Sequence, residues 1–223
     1  MEQFKWKQNF QQKIFSLYNQ GEIVREYNVD IGEPFFNAVS IKINEREQII
    51  CAGLYSRKSR HSVDGFFYCM YDSTLSSPLI KSVKEFKMET LTEAEIERKQ
   101  NRIKRREEKG KENEMPEYKL KSLELNKDGG CTLIAEQEYV ETRIVYYGIG
   151  VTSVRYYCND DILVIKGDSL GNLSWTAKIP KKQESSYYMG HYSSFCSLAS
   201  DSALYIIYND HKGNTLNPKR KSN

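Results

Sequence analysis

Three histidines and an adjacent pair of aspartates are the side chains of this sequence best suited to acid–base or metal chemistry. The histidines are His61, His191 and His211. Candidate nucleophiles follow one of them closely, namely Ser193, Ser194 and Cys196 after His191. No nucleophile elbow or oxyanion motif accompanies them, and Asp160 and Asp161 belong to no D-x-D-x-D-G calcium loop. We therefore expect no catalytic residue and no metal site; the alternative is a carbohydrate- or peptide-acting hydrolase that uses His191 with Asp160 and Asp161.

The cysteine and glycine patterns carry no cofactor motif. The five cysteines are Cys51, Cys69, Cys131, Cys158 and Cys196. They form no CxxC pair, and no histidine stands at zinc-ligand spacing. GIG at 148–150 lies between tyrosine-rich runs rather than between a strand and a helix, so it is no phosphate loop. We expect buried thiols and no cofactor, with a Cys51–Cys69 disulfide as the alternative for an exported protein.

The composition indicates a soluble globular protein. A chain of 223 residues with 39% hydrophobic residues can bury a core. No apolar run reaches the roughly 18 residues of a membrane helix, and the first residues lack the apolar segment of a secretory signal. The net charge of +3 is too small to indicate nucleic acid, and the basic polar tail over 211–223 is typical of a solvated segment.

Tyrosine is the most informative excess, with 16 copies. Many of them fall in two segments, 138–161 and 180–194, that we expect to be long loops. A tyrosine ring offers a broad apolar face and a hydroxyl at low entropic cost, which suits recognition of a protein or a glycan. The candidate binding residues of these loops are Tyr146, Tyr147, Tyr156, Tyr157, Tyr187, Tyr188, His191 and Tyr192.

A charged insert over 88–117 is predicted to contain one α-helix. Thr92 and Glu95 form a capping box at its start, and Gly110 ends it. Three arginines recur every four residues and therefore share one helix face, namely Arg98, Arg102 and Arg106. We add them to the candidate binding residues. This face is either a docking surface for an acidic protein or an anionic polymer, or part of a solvated helix.

Six predicted β-hairpins of two kinds make up the rest of the chain. Type A hairpins have alternating strands around a polar turn, as in DILVIKGDSLGNLSWTAKIP, and span 13–29, 66–86 and 161–180. Type B hairpins, two of which carry Ser-apolar-x-apolar-Asn before the turn, span 37–55, 118–139 and 193–210. The two types alternate, so we predict a single domain of three repeats, over about 13–55, 66–139 with the insert, and 161–210.

A repeated unit of four antiparallel strands is typical of a β-propeller blade. The pattern DILVIKGDSLGNLSWTAKIPKKQ and a glycine-containing hairpin such as NKDGGCTLIAE resemble the propeller-like repeat proteins of Gram-negative bacterial cell envelopes. This resemblance implies the fold and a cell-envelope or secreted location; without it we expect a cytoplasmic protein. The predicted fold is all-β, with about three four-stranded antiparallel blades and one inserted helix.

Three blades are too few for a closed propeller, which usually has four to eight. The sequence therefore leaves open a fragment, a ring completed by another chain, and an open sandwich or barrel.

The antiparallel order of the strands sorts the connections. Alternate connections emerge at the same end of a sheet, so the tight turns are predicted at one end and the long connections at the other. Long loops on a rigid scaffold are where binding usually resides. We therefore expect a non-catalytic binding or scaffold module that presents a tyrosine-rich face to a protein or glycan partner. The alternative besides a hydrolase is a subunit whose open blades close on a partner.

Overall fold

The computed structural model describes residues 12–32, 34–57, 63–72, 74–86, 118–148, 150–186, 192–200 and 203–210. Their regular secondary structure is β-strand, and the strands pair antiparallel. This confirms the predicted all-β class. The helix predicted over 88–117 lies outside the described residues, together with its three arginines, Arg98, Arg102 and Arg106.

The strands form two large sheets and two separate hairpins. The first hairpin pairs β1 (Gln12–Asn19) with β2 (Glu22–Asp30). The first sheet contains, in spatial order, β3 (Phe35–Ile43), β4 (Ile49–Ser56), β5 (Gly65–Tyr71) and β6 (Pro78–Glu85). The second sheet contains β7 (Tyr118–Leu125), β8 (Cys131–Tyr147), β9 (Gly150–Gly167) and β10 (Leu173–Ile179), with β11 (Gln183–Ser185) paired to β9. The last hairpin pairs β12 (Phe195–Ala199) with β13 (Leu204–Tyr208).

All six predicted hairpins are present as strand pairs. Their turns use the residues that the sequence singles out. Gly21 and Gly171, which match in sequence, both have positive φ (89° and 75°), and so does Gly129 of the NKDGG turn (84°). Asp168 closes its turn by accepting hydrogen bonds from the backbone N–H groups of Leu170 (2.9 Å) and Asn172 (2.7 Å).

Each four-stranded sheet consists of a type B hairpin followed by the next type A hairpin. The first sheet joins β3–β4 to β5–β6, and the second joins β7–β8 to β9–β10. Each sheet therefore begins one hairpin later than the predicted repeats do. None of the sheets formed by the described residues closes on itself, so the predicted blades stay an expectation.

The sheets and hairpins stack in four layers with three apolar cores. The largest core lies between the two sheets and contains Ile50, Leu54, Phe66, Leu133 and Ile165 among others. A second core packs β2 against the outer face of the first sheet. A third packs β12–β13 against the outer face of the second sheet. The central strand β4, IICAGLYS, is buried along its whole length because it has a layer on either side.

The tight turns of the two sheets lie at one end of the stack. The hydroxyl of Tyr68 donates to the carbonyl of Gly129 (3.2 Å), and a Cβ at Gly129 would lie 3.3 Å from Ser169 of the β9–β10 turn. At the opposite end the prediction of a long loop over 138–161 is wrong. These residues extend β8 and β9 as a continuous hairpin around Gly148, since their β-branched and aromatic residues favour strand.

Candidate functional site

A two-stranded ribbon that projects beyond the second sheet is the candidate functional site. β7 stops pairing with β8 at Gln137. Beyond that point β8 and β9 continue to pair with each other from Glu138 to Tyr147 and from Gly150 to Asn159, and we call this ribbon the arm. In the described residues only the three-residue β11 pairs with it, at its base. At about 3.3 Å per residue, its ten β8 residues extend about 33 Å.

One face of the arm is apolar and exposed. Cross-strand partners share a face of a sheet, so the pairing defines this aliphatic face as Val140, Thr142, Ile144 and Tyr146 with Val151, Ser153, Arg155 and Tyr157. Its large apolar residues are between 56% and 74% exposed, namely Val140, Ile144, Tyr146 and Val151. A two-stranded hairpin is only marginally stable by itself, and an exposed apolar patch favours contact with another molecule.

The opposite face of the arm is held by an arginine. Arg143 donates two hydrogen bonds to Glu184 of β11 (2.6 and 2.8 Å) and others to Glu141 (2.6 and 3.1 Å). Its guanidinium also lies 4.3 Å from the ring centroid of Tyr156. The hydrogen bonds from Arg143 hold the pKa of Glu184 below its usual value. This face is therefore satisfied internally, whereas the aliphatic face is open.

An acidic cluster on the same face does not amount to a metal site. Potential ligand atoms of Glu141, Cys158 and Glu184 lie within 4.8 Å of one another, which is a spacing that a cation could use. Both carboxylates already accept hydrogen bonds from Arg143, whose positive charge occupies the position of a cation. The cluster is therefore part of an ion-pair network.

A β-bulge marks the base of the arm. The register shifts between Glu136 and Glu138, because Asp160 and Asp161 of β9 stand opposite a single residue of β8. A bulge bends its strand and increases the local twist. The arm therefore leaves the plane of the second sheet at a defined point.

A buried carboxylate fixes this bend. Glu136 has no exposed surface. One of its oxygens lies 2.7 Å from the ammonium of Lys181, and the other lies 3.2 Å from that of Lys121. The second oxygen also accepts hydrogen bonds from the hydroxyl of Ser194 (2.7 Å) and the side-chain amide of Asn159 (3.1 Å). The carboxylate of Glu136 is therefore contacted by β7, β9, the connection before β11 and the connection before β12.

The network keeps Glu136 ionised. Burial would raise the pKa of this carboxyl, but the hydrogen bonds from Lys181 and Ser194 and the nearby positive charges outweigh burial, so that its pKa lies below the usual value. The ammonium of Lys181 is fully satisfied, because it also donates to the carbonyl of Asn159 (2.7 Å) and to the side chain of Gln183 (2.8 Å). A buried pair with this many partners is strongly coupled, and removing either member leaves an unpaired charge.

Ser194 has a structural role in this arrangement. It is a non-glycine residue with positive φ (69°), and its N–H donates to Gln183 (2.6 Å) while its hydroxyl donates to Glu136. A carboxylate with a lowered pKa and two lysine partners is a poor general base, so this contact does not activate the hydroxyl. The sequence marks Ser194 as a candidate nucleophile; the structure places it as the link between the last hairpin and the base of the arm.

Asp160 and Asp161 do not act as a pair. They are the two residues of β9 that stand opposite a single residue of β8 at the bulge, and each carboxylate has its own partners. Asp160 accepts a hydrogen bond from the hydroxyl of Tyr139 (2.8 Å), and burial raises its pKa. Asp161 accepts from the N–H of Lys181 (3.0 Å) and pairs with Lys178 (2.8 Å). The two carboxylates therefore converge on no common ligand position.

The structure divides the predicted tyrosine set. Tyr146 and Tyr157 belong to the aliphatic face of the arm, whereas Tyr156 stacks with Arg143 on the opposite face and Tyr147 ends β8. Tyr192, which is 78% exposed, lies two residues from Ser194 at the base of the arm. The remaining candidates lie outside the described residues, namely Tyr187, Tyr188 and His191.

Sequence reasoning missed the residues that hold the arm. Glu136 and Lys181 sit in strand-like polar segments that resemble ordinary exposed positions. The one available signal for the arm is the run of β-branched and aromatic residues on both sides of Gly148 and Gly150, which predicts a hairpin. The five cysteines are free thiols, and Cys51 lies directly opposite Cys69 across β4 and β5 without a disulfide. Four of them are buried as expected, but Cys196 is exposed on β12, so the expectation of a buried thiol is wrong for this residue.

Comparison with known proteins adds no relative. No family model, curated protein or solved structure matches this chain. Among the described residues, no helix has the length and hydropathy needed to span a membrane.

Proposed function

We propose that this protein is a non-catalytic binding module whose arm docks on a partner protein through its aliphatic face. The observation that carries the proposal is the exposure of four large apolar side chains on one face of a ribbon that is anchored at its base. The buried ion pairs of Glu136 fix the direction of the arm, and Arg143 satisfies its other face. An oriented, preformed apolar surface binds with little ordering cost.

The chemistry of this face favours a protein over a glycan. Three of its four large exposed residues are aliphatic, namely Val140, Ile144 and Val151. Aliphatic side chains contribute by apolar burial, whereas a sugar needs planar rings and convergent hydrogen-bonding groups. No described strand pairs with the β8 edge between Val140 and Tyr147, so this edge can also add a strand from the partner through backbone hydrogen bonds.

The test uses two double variants that each replace two exposed apolar residues by serine. Ile144→Ser/Tyr146→Ser removes two exposed residues of the aliphatic face. Leu75→Ser/Leu170→Ser removes two exposed leucines from the tight turns at the other end. Each tagged protein is incubated with an extract of the source cells, and bound proteins are quantified by mass spectrometry. A retained protein is then purified and its affinity measured by calorimetry.

We expect at least one protein that binds the wild type and the turn variant but not the arm variant. Loss of two central contacts of about 1–2 kcal/mol each predicts an affinity about 30- to 1000-fold lower for the arm variant. Equal retention by the two variants, with both shown to be folded by circular dichroism, would contradict the proposal. Selective retention of a glycan on an array would favour the glycan alternative instead.

A further inference from the structure

The first and last hairpins of the described residues are separate two-stranded sheets of different types. Both complete sheets consist of a type B hairpin followed by a type A hairpin, with the second strand of B paired to the first strand of A, as in β4–β5 and β8–β9. The hairpins left over are one of each kind. β1–β2 is a type A hairpin and β12–β13 is a type B hairpin. In the described residues β1 pairs only with β2, and β13 only with β12.

The edges that would join have equivalent registers. The turns before β4, β8 and β13 share a backbone hydrogen bond, from Asn44 to Gln48, from Asn126 to Gly130 and from Ser200 to Ala203. Counting from these turns, Ile206 corresponds to Cys51 and Leu133. Those residues lie opposite Cys69 and Ile165 in the adjoining type A strand.

The equivalent residue of β1 follows from the faces of the sheet. Ser16 lies opposite Glu26, one residue from the buried Tyr27, so Ser16 faces away from the first sheet. Ile206 packs on the second sheet. In a joined sheet Ser16 and Ile206 would both face the second sheet of the copy that supplies β13. This matches the two complete sheets, in which Cys69 faces the layer of β1–β2 and Ile165 faces the first sheet. The faces restrict the choice to alternate residues of β1, and the bulge selects one of them. The register shifts between Leu17 and Tyr18 as it does between Met70 and Tyr71, so Ser16 corresponds to Cys69 and we place it opposite Ile206.

Apolar surface is exposed on both sides of the same junction. The outward face of β12–β13 carries Leu198, Tyr205 and Ile207, which are between 55% and 72% exposed. On the first sheet, the type A hairpin leaves β3 partly uncovered. Ile41 and Ile43, whose partners Cys51 and Ile49 belong to the core under β2, remain 41% and 61% exposed. In the two complete sheets the first strands, β3 and β7, pack on each other. A type B hairpin beside β1–β2 would therefore cover β3.

We propose that two copies of this chain join head to tail, with β13 of each copy pairing with β1 of the other. Each junction completes a four-stranded sheet and buries the outward face of β12–β13 against β3 of the second copy. Every copy then contributes three sheets, and two copies make a closed ring of six, which is within the usual range of four to eight for a propeller. Closure with two identical junctions is a symmetric dimer. This inference is independent of the arm and its partner.

The first test measures the mass of the 223-residue chain in solution. Light scattering at about 100 μM should give twice the 26.0 kDa of one chain. Ile207→Glu introduces a charge at a position exposed in one copy but buried at the junction, so we expect at least a 100-fold weaker dimer. Ile144→Glu makes the same change on the arm and should leave the dimer intact. A wild-type monomer, or equal effects of the two substitutions, would overturn the proposal.

The second test measures the junction directly. In a Cys196→Ser background, copies with Ser16→Cys are mixed with copies with Ile206→Cys and oxidised. We expect a disulfide-linked pair on a non-reducing gel, and none from either single variant alone. Joining both substitutions in one chain should give a doubly linked dimer. A crosslink within one chain, or an open series of higher oligomers, would overturn the closed ring of two. Cys196, which shares the outward face of β12, should react with a thiol reagent more slowly as protein concentration rises.

Discussion

Replacement of Lys181 by methionine tests whether the buried charges at the base of the arm are coupled as the geometry indicates. The substitution keeps the length of the side chain but removes the ammonium that lies 2.7 Å from Glu136. Glu136 then stays buried with Lys121 at 3.2 Å as its remaining cation. Removing one member of a buried pair costs about 3–5 kcal/mol of unfolding free energy. Because Lys121 and Ser194 still contact the carboxylate, we expect about 3 kcal/mol.

The pH dependence gives this prediction its signature. In the wild type the pKa of Glu136 is lowered on folding, so the network stabilises the fold above the unfolded pKa, and this stability is lost as pH falls through the folded value. In Lys181→Met burial dominates and raises that pKa. The variant is then destabilised at neutral pH and regains stability as Glu136 takes up a proton. The difference in unfolding free energy should therefore shrink as pH falls from 7 to 4.

Urea unfolding followed by circular dichroism at several pH values measures both quantities. The double variant Lys181→Met/Glu136→Leu removes both charges and should recover most of the loss, since a packed apolar pair is often as stable as a buried ion pair. Exposed Lys182→Met serves as the control and should change the unfolding free energy by less than about 0.5 kcal/mol. A cost below about 1 kcal/mol for Lys181→Met, or one that does not change with pH, would refute the coupling.

Five further substitutions at four positions test the two sheets and the arm. Gly53→Ala should lower the unfolding free energy measured in urea by about 3 kcal/mol, because its Cβ would lie 1.9 Å from the carbonyl oxygen of Ala38. Gly148→Ala should lower it by only about 1 kcal/mol, because its Cβ would meet no atom and only the positive φ is unfavourable for alanine. Tyr139→Phe removes a hydrogen bond that stabilises the ionised carboxylate of Asp160, so the pKa of Asp160 should rise further in NMR titrations. The variant should be less stable than the wild type at pH 7, and this difference should disappear as Asp160 becomes protonated. Asp168→Ala loses the acceptor of its turn and should cost about 1–2 kcal/mol at pH 7 in the same unfolding assay, whereas Asp168→Asn should retain most of that stability.

The sequence predicts the hairpins well because each hairpin is a local object. Alternating side chains and residues that tolerate positive φ, such as Gly21, Gly129 and Gly171, specify two strands and the turn between them. The grouping of hairpins into sheets is not local. The alternating pattern of side chains would allow β2 to pair with β3 as readily as it allows β4 to pair with β5. Only the packing of the layers decides that β4 and β5 form the pair. The predicted repeats therefore have the right units and a different grouping.

The arm is harder to predict for a related reason. The sequence analysis expects a long loop over 138–161, although the strand propensity of its residues indicates a hairpin. The charges that orient the arm are harder to predict. Glu136 is buried because Lys181, Lys121 and Ser194 reach it from three separate segments. No spacing along the chain brings those segments together, so a buried ion pair of this kind follows from the tertiary structure alone.

Ser194 distinguishes a structural role from a chemical one. Its hydroxyl contributes one hydrogen bond to Glu136, so Ser194→Ala should cost about 1–2 kcal/mol of unfolding free energy. Ser194→Gly loses the same bond but relieves a positive φ that costs an ordinary residue about 1–2 kcal/mol. The glycine variant should therefore be close to the wild type in stability and the alanine variant clearly below it. A nucleophile would behave otherwise, since both variants would lose turnover of an ester substrate equally while their stabilities need not differ. Thermal melting and an ester-hydrolysis assay on the same two proteins separate the cases. A Ser194→Ala variant as stable as the wild type would contradict the structural role of the hydroxyl, and equal stability of the two variants would contradict the strain at this residue.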